Sequence, residues 1–316
     1  MKNYFIYIIF MLSSILFAQD SGPFEQVQEL LRNRETVKAE QIIRNILTSD
    51  ENNAEALYYL GVVHLVNGDY EQAIDQLEEA IELNDKDYRF FERLGDAFGM
   101  KAQKAGIFKA MFVIGDMRSN WEKAIELNPG LVPARERLIS YYLAAPGIAG
   151  GDDDKALKLA QEVIELDPAK GYYLRSRYYT KVQEPDNAEK DLLKSVELDS
   201  TNGDILNNIA YFYLNQNKLQ LSKKYFNQYI AHYKDEPNPY DSKGDYFVKT
   251  GQLDSALVMY QTAIQKNPNF EPSLYNQALM LKDLSRLEEA KQAAGKYLNK
   301  FPDGRYADAA QKIIDD

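Results

Sequence analysis

The chain of 316 residues contains no cysteine, a single tryptophan and two histidines. Without cysteine there are no disulfides, thiolate zinc sites, cysteine nucleophiles or lipid attachment through an N-terminal Cys. Two histidines leave little for metal binding or proton transfer. His64 falls among apolar helical positions, where a packed, hydrogen-bonded histidine is expected. His232 falls at the end of a predicted helix, where an imidazolium suits the partial negative charge of the terminus. No serine, histidine and acid fall in a nucleophile signature, so no catalytic residue, cofactor or metal site is predicted and the chain is read as a non-enzyme. Clustered cations are scarce as well: the net charge of −11 argues against nucleic acid, which needs Lys and Arg patches to meet phosphate.

Long apolar runs are equally sparse. The longest, from Tyr4 to Phe17, is interrupted by Ser13 and Ser14 and is shorter than the about 20 residues a bilayer span needs. With Lys2 before it and Leu16-Phe17-Ala18 as a plausible cleavage site, residues 1–18 read as a secretory signal peptide. An uncleaved signal anchor is the rival reading. The expectation is export to the periplasm or cell envelope, with membrane contact only through this segment before cleavage.

What the chain has in quantity is a periodic pattern. In the stretch Ala54–Asp87, Leu57, Leu60, Gly61 and His64 share one helix face, because residues three and four apart are neighbours. Asn67-Gly68-Asp69 breaks that helix, and Ala73, Leu77, Ala80 and Ile81 line the inner face of a second one. Counting Ala54 as position 1, the spacing returns from Pro237 (Tyr240, Gly244, Phe247, Gly251, Ala256, Tyr260, Ala263, Pro268). It returns again from Glu271 (Leu274, Ala278, Leu281, Ala290, Ala294, Tyr297, Pro302). These residues resemble the tetratricopeptide repeat, a helical hairpin of about 34 residues marked by W-x2-L-G-x2-Y, A-x3-F and P. The resemblance implies an all-α, right-handed α-solenoid of about eight hairpins with a C-terminal capping helix. The hairpins are expected at 20–53, 54–87, 88–130, 131–168, 169–202, 203–236, 237–270 and 271–304, in one solenoid over 19–316, with the cap at 305–316. The 23 tyrosines suit half-buried positions whose hydroxyls stay wet.

Two hairpins depart from the pattern. In the third, Trp121, Ala124, Leu127 and Pro129 come about ten residues late, and Phe108, Met111 and Phe112 fall at helical spacing, so one or both helices should be long. The fourth carries Ala144-Ala145-Pro146-Gly147-Ile148-Ala149-Gly150-Gly151-Asp152-Asp153-Asp154 between its helices. Both insertions fall in hairpin turns, so Pro146 and Ile148 are expected to pack against Phe108, Met111 or Phe112 and to form an apolar interaction edge. The glycines are a weak phosphate-loop match, because three aspartates would repel phosphate at the helix start. An aspartate helix cap is the plainer reading, and a calcium site lacks the spacing of an EF-hand. The segment is similar to an insertion in exported bacterial repeat proteins, which brings no function with it.

The resemblance also places partner-binding residues on the first helix of each hairpin, facing a concave groove. Carried over residue by residue, these are Arg137 in the fourth unit, Lys170, Tyr173, Arg177 and Lys181 in the fifth, and Asn207, Asn208, Tyr211 and Asn215 in the sixth. Cations there could meet a carboxylate, with Asn on backbone and Tyr stacking. The full chaperone-type carboxylate clamp is not matched. The alternative is a solvated face whose arginines pair with acids such as Asp241 and Asp245. The sequence therefore points to a protein- or peptide-binding scaffold, or to a self-associating envelope component acting as a homo-oligomer through the insertion edge.

Overall fold

A computed structural model describes residues 22–105 and 107–315; the expected signal peptide lies outside them. The described residues form seventeen α-helices, taken in sequential hairpins. The first three pairs are α1 (Pro23–Arg32) with α2 (Thr36–Ser49), α3 (Ala54–Asn67) with α4 (Tyr70–Leu83), and α5 (Tyr88–Ala105) with α6 (Ile107–Leu127). Next come α7 (Val132–Ala144) and α8 (Asp153–Leu166), α9 (Pro168–Lys181) and α10 (Pro185–Leu198), and α11 (Gly203–Asn215) and α12 (Leu219–His232). The chain ends with α13 (Asn238–Lys249) and α14 (Leu253–Lys266), α15 (Glu271–Asp283) and α16 (Leu287–Lys300), and the single helix α17 (Ala307–Asp315). The fold is an all-α repeat solenoid. It divides into two compact units, Met1–Leu159 and Ala160–Asp316, and the division falls inside α8.

Local chemistry sets the hairpins. Asn53, Asp167 and Asn202 each accept a backbone N–H in the first turn of α3, α9 and α11, supplying a partner that a helix start otherwise lacks. The turn that ends the first helix uses one residue in the left-handed region. Arg34 and Gly68 occupy it in the first unit, and Gln183, Asn217, Gly251 and Ser285 in the second. Within each unit these positions recur 34 residues apart, so the repeat is written into the backbone as well as the side chains.

Close approach inside a hairpin depends on glycine. A Cβ at Gly61 would lie 2.7 Å from Leu77 Cγ, one at Gly95 2.5 Å from the Trp121 ring, and one at Gly244 2.4 Å from the Tyr260 ring. Leu77, Trp121 and Tyr260 are buried in the space those glycines leave. The last hairpin is closed by α17, whose Ala310 and Ile313 are buried, and Tyr306, in the turn just before it, stacks on Tyr275 at 4.6 Å. Arg175, standing where leucine is usual, reaches Asp191 on α10 through two hydrogen bonds of 2.7 and 2.9 Å. A bidentate ion pair thus replaces an apolar contact.

The insertions behave differently from each other. In the third hairpin both helices are long, 18 and 21 residues, as the late Trp121 predicts. The insertion between α7 and α8 does not seat against it. Ile148 is 89 % exposed and Pro146 is also exposed, while Met111 and Phe112 are 51 % and 84 % exposed. The expected packing of Ile148 fails because the loop is held by polar contacts. The Tyr141 hydroxyl donates to the Ala149 carbonyl, and Gly151 N–H donates to the Pro146 carbonyl at 3.0 Å. Asp152 then caps α8, accepting from Lys155 N–H at 3.0 Å, with Asp153 and Asp154 in the first turn. His64 is mostly buried, but its Nδ1 has no hydrogen-bond partner and lies 3.9 Å from the Asp69 carboxylate. The expected hydrogen bond is absent there.

Replacing Gly61 with leucine should overpack the α3–α4 contact and cost roughly 1–3 kcal/mol or more. Thermal melting followed by circular dichroism measures it; a variant melting with the parent would mean the close approach is misassigned.

Candidate interaction surface

Stacking the hairpins brings first helices side by side, and their polar residues pair from one repeat to the next. In the second unit, Asn208 on α11 donates to the Tyr173 hydroxyl on α9 at 3.2 Å. Tyr211 donates to Asp245 Oδ2 on α13 at 2.6 Å, and Tyr260 from α14 donates to Asp245 Oδ1 at 2.7 Å. One turn earlier on α13, buried Asp241 accepts from Ser273 at 2.5 Å and from Asn276 at 3.3 Å, both on α15. The partners of Asp241 and Asp245 are thus hydroxyls and an amide, not the arginines considered from sequence. Burial, first of all, raises the Asp241 carboxyl to about 6, with the Asp245 charge adding and the Ser273 hydrogen bond opposing. Burial and the Asp245 carboxylate also raise the Tyr211 hydroxyl well above its ordinary value, so it stays a donor.

The first unit holds a charged counterpart. Asp96 on α5 accepts from the Trp121 indole at 3.1 Å, from Arg93 at 2.8 Å, and meets Arg137 Nε on α7 at 2.8 Å. Arg137 also reaches Glu92 at 2.8 Å. Burial raises the Asp96 carboxyl even against these two arginines. Beside this network a cleft of about 910 Å³ opens between α5, α6 and α7.

The nine residues expected to bind a partner are therefore distributed as follows. Arg137 lies in the first unit, engaged with Glu92 and Asp96. The other eight lie in the second, on α9 and α11. Lys170 sits 5.4 Å over the Tyr173 ring and 3.7 Å from Asp204. Arg177 is half-buried one turn beyond Tyr173, and Lys181 is exposed at the end of α9. Asn207 is half-buried with its side-chain oxygen unpartnered, and Asn215 is exposed. Tyr173, Asn208 and Tyr211 are spent on contacts between repeats. Of the insertion-edge residues, Met111, Phe112, Pro146 and Ile148 are exposed, and the side chain of Phe108 lies outside the described set. Sequence reasoning missed Asp96, Gly99 and the cleft. The recurring 34–35 residue offset between Tyr211 and Asp245, or Asp241 and Asn276, was the available signal for the polar ladder.

Comparison with known proteins agrees with this geometry. Models described as tetratricopeptide repeat match residues 54–87, 169–202, 203–231 and 273–304. The chain carries tetratricopeptide repeats at these positions, a scaffold that generally serves protein–protein interaction and is typically non-enzymatic. Among solved structures it is similar to one from an APC/C hetero-tetramer, Cut9–Hcn1, at 15 % identity and a TM-score of 0.53. That match covers 96 % of this chain but only 57 % of the other. It is also similar to a tetratricopeptide repeat protein from Parabacteroides merdae, at 15 % identity and a TM-score of 0.56, covering 83 % and 97 % of the two chains. Both likenesses concern the fold. No curated protein matches the sequence.

Because the Asp241 carboxyl titrates near 6 when folded and near 3.8 otherwise, the folded state holds its proton more tightly. Its contribution is present at low pH and is lost as pH rises from about 4 to 6, to the extent of about 2–3 kcal/mol. Asp241→Asn should remove that pH dependence and raise the melting temperature at pH 7.5. Parallel urea titrations at pH 5 and 7.5 check it; an unchanged pH response in the variant would contradict the assignment.

Proposed function

We propose that this protein is an exported scaffold that holds a protein or peptide segment on the first-helix face of its second unit. One observation carries the reading. From Pro168 to Gln183 the chain has no acid, and besides Arg175, which is taken up by Asp191 on α10, it carries Lys170, Arg177 and Lys181, within a protein of net charge −11. On the neighbouring first helix, Asn207 is half-buried and Asn215 is exposed. Cations beside amides and tyrosines suit a segment that carries a carboxylate and offers main-chain groups. Export rests on residues 1–18 alone, whose basic start, apolar run and small residue at the end fit a signal peptide. The periplasm or cell envelope is the compartment this implies.

A second reading is favoured by the exposure of Met111, Phe112 and Ile148 in the first unit. Large apolar side chains left in water are material for an interface, and a second copy of the chain acting in an envelope assembly is the partner it suggests.

Substituting both Arg177 and Lys181 by glutamate should weaken capture of crosslinked partners from the native envelope at least tenfold while leaving helicity unchanged. Identical capture profiles would refute the face. Light scattering after size exclusion separates the second reading: a homo-oligomer dispersed by serine at Phe108 and Met111 supports it, and a monomeric parent chain removes it.

A further inference from the structure

The cleft between α5, α6 and α7 exists because of a glycine that packing does not require. Gly95 is needed, since any Cβ there would strike the Trp121 ring at 2.5 Å. Gly99, one turn later, is different: its Cβ would meet Met117 Sδ at 3.4 Å and the edge of Trp121 at 3.6 Å, ordinary contact distances. Alanine would fit, and it would favour the helix, because glycine inside a helix is destabilising relative to alanine. What the glycine supplies instead is open access to a floor made of Met117 and Trp121, only 5 % and 6 % exposed.

The rest of the cleft defines what could lie on that floor. Its rim carries Met100, which is 45 % exposed, together with Gln103 and Tyr141. Met100 and Gln103 belong to the last turns of the lengthened α5. The wall carries Arg93 and Arg137 against Asp96 and Glu136, two charges of each sign, with Asp96 2.8 Å from both arginines. A balanced wall gives no net attraction for an anion or a cation. Two methionines and an indole give a soft apolar surface that adapts to the shape of its occupant, and a volume of about 910 Å³ exceeds that of one side chain.

We infer that this cleft is a binding site for an uncharged peptide segment, with an apolar side chain of leucine, methionine or phenylalanine size entering over Gly99 onto Met117 and Trp121. Main-chain carbonyls of the segment accept from the guanidinium groups of Arg93 and Arg137. The inference deepens the scaffold reading and depends on it, while placing a second recognition chemistry away from the cations of α9.

The single tryptophan of the chain lies in the cleft and reports on it. The probe is an acetylated, amidated dodecapeptide of glycine, serine and asparagine with a central Leu-Met pair, compared with the same peptide carrying Ser-Ser or Asp-Asp. The full-length protein should show a saturable change in tryptophan emission with the Leu-Met peptide and none with the other two. Met100→Asp, a rim change that leaves the floor intact, and Gly99→Leu should each weaken binding at least tenfold. Gly99→Ala should melt no lower than the parent yet bind the Leu-Met peptide more weakly, because its Cβ would stand over the floor, 3.4 Å from Met117 and 3.6 Å from Trp121; undiminished binding by that variant would count against the entry over Gly99. Equal responses to the three peptides, no saturable response, or undiminished binding by Met100→Asp would overturn the assignment. Envelope partners captured through Arg177 and Lys181 despite a silent cleft would leave the scaffold reading standing. Binding of the Leu-Met peptide without any captured partner would do the reverse.

Discussion

Each hairpin in this chain is too thin to hide its own apolar surface, and the structure follows from that shortfall. Two helices meet along a line where one offers glycine and the other a large side chain, as with Gly61 and Leu77 or Gly244 and Tyr260. The contact aligns the pair but leaves a second face of each helix uncovered. A fully buried leucine or phenylalanine contributes roughly 1.5–3 kcal/mol, against about 1–2 kcal/mol for ordering the backbone of each residue. The uncovered faces must therefore be buried by the preceding and following hairpins. At the C-terminal end α17 takes over that task with Ala310 and Ile313.

Once hairpins are stacked this way, polar residues on successive first helices are forced into register. Asp245 gathers two tyrosine hydroxyls, Asp241 a serine and an asparagine, and Asp96 an indole and two arginines. These contacts satisfy groups that burial would otherwise penalise. They also decide what is left for a partner. Residues committed to the ladder fix the spacing of the repeats, and the surfaces we propose for recognition lie outside it, namely the cations of α9, the exposed edge at Met111 and Phe112, and the cleft over Gly99.

The fold was readable in the sequence because the repeat period fixes so much at once. Leu57, Leu60 and Gly61, and the Asn67-Gly68 break after them, each mark the same element, and Gly68 does adopt the left-handed turn. The lengthened third hairpin was readable from the displacement of Trp121. The site was harder, because residue type does not reveal whether a polar group is already paired. Tyr173, Asn208 and Tyr211 look like binding residues until their partners one repeat away are seen. Ile148 looks like a packing residue because it is apolar, yet the loop that carries it is fixed by Tyr141 and by its own backbone. Gly99 carries no signal in the sequence at all. Its meaning depends on where Met117 and Trp121 lie, 18 and 22 positions downstream.

The claim that neighbouring hairpins hold one another folded is tested most directly on one hairpin removed from its neighbours. A synthetic peptide of residues 54–87 should show little helix by circular dichroism in dilute buffer and no cooperative thermal transition. A peptide that is strongly helical and melts cooperatively would show that the hairpin stands alone, which the account forbids.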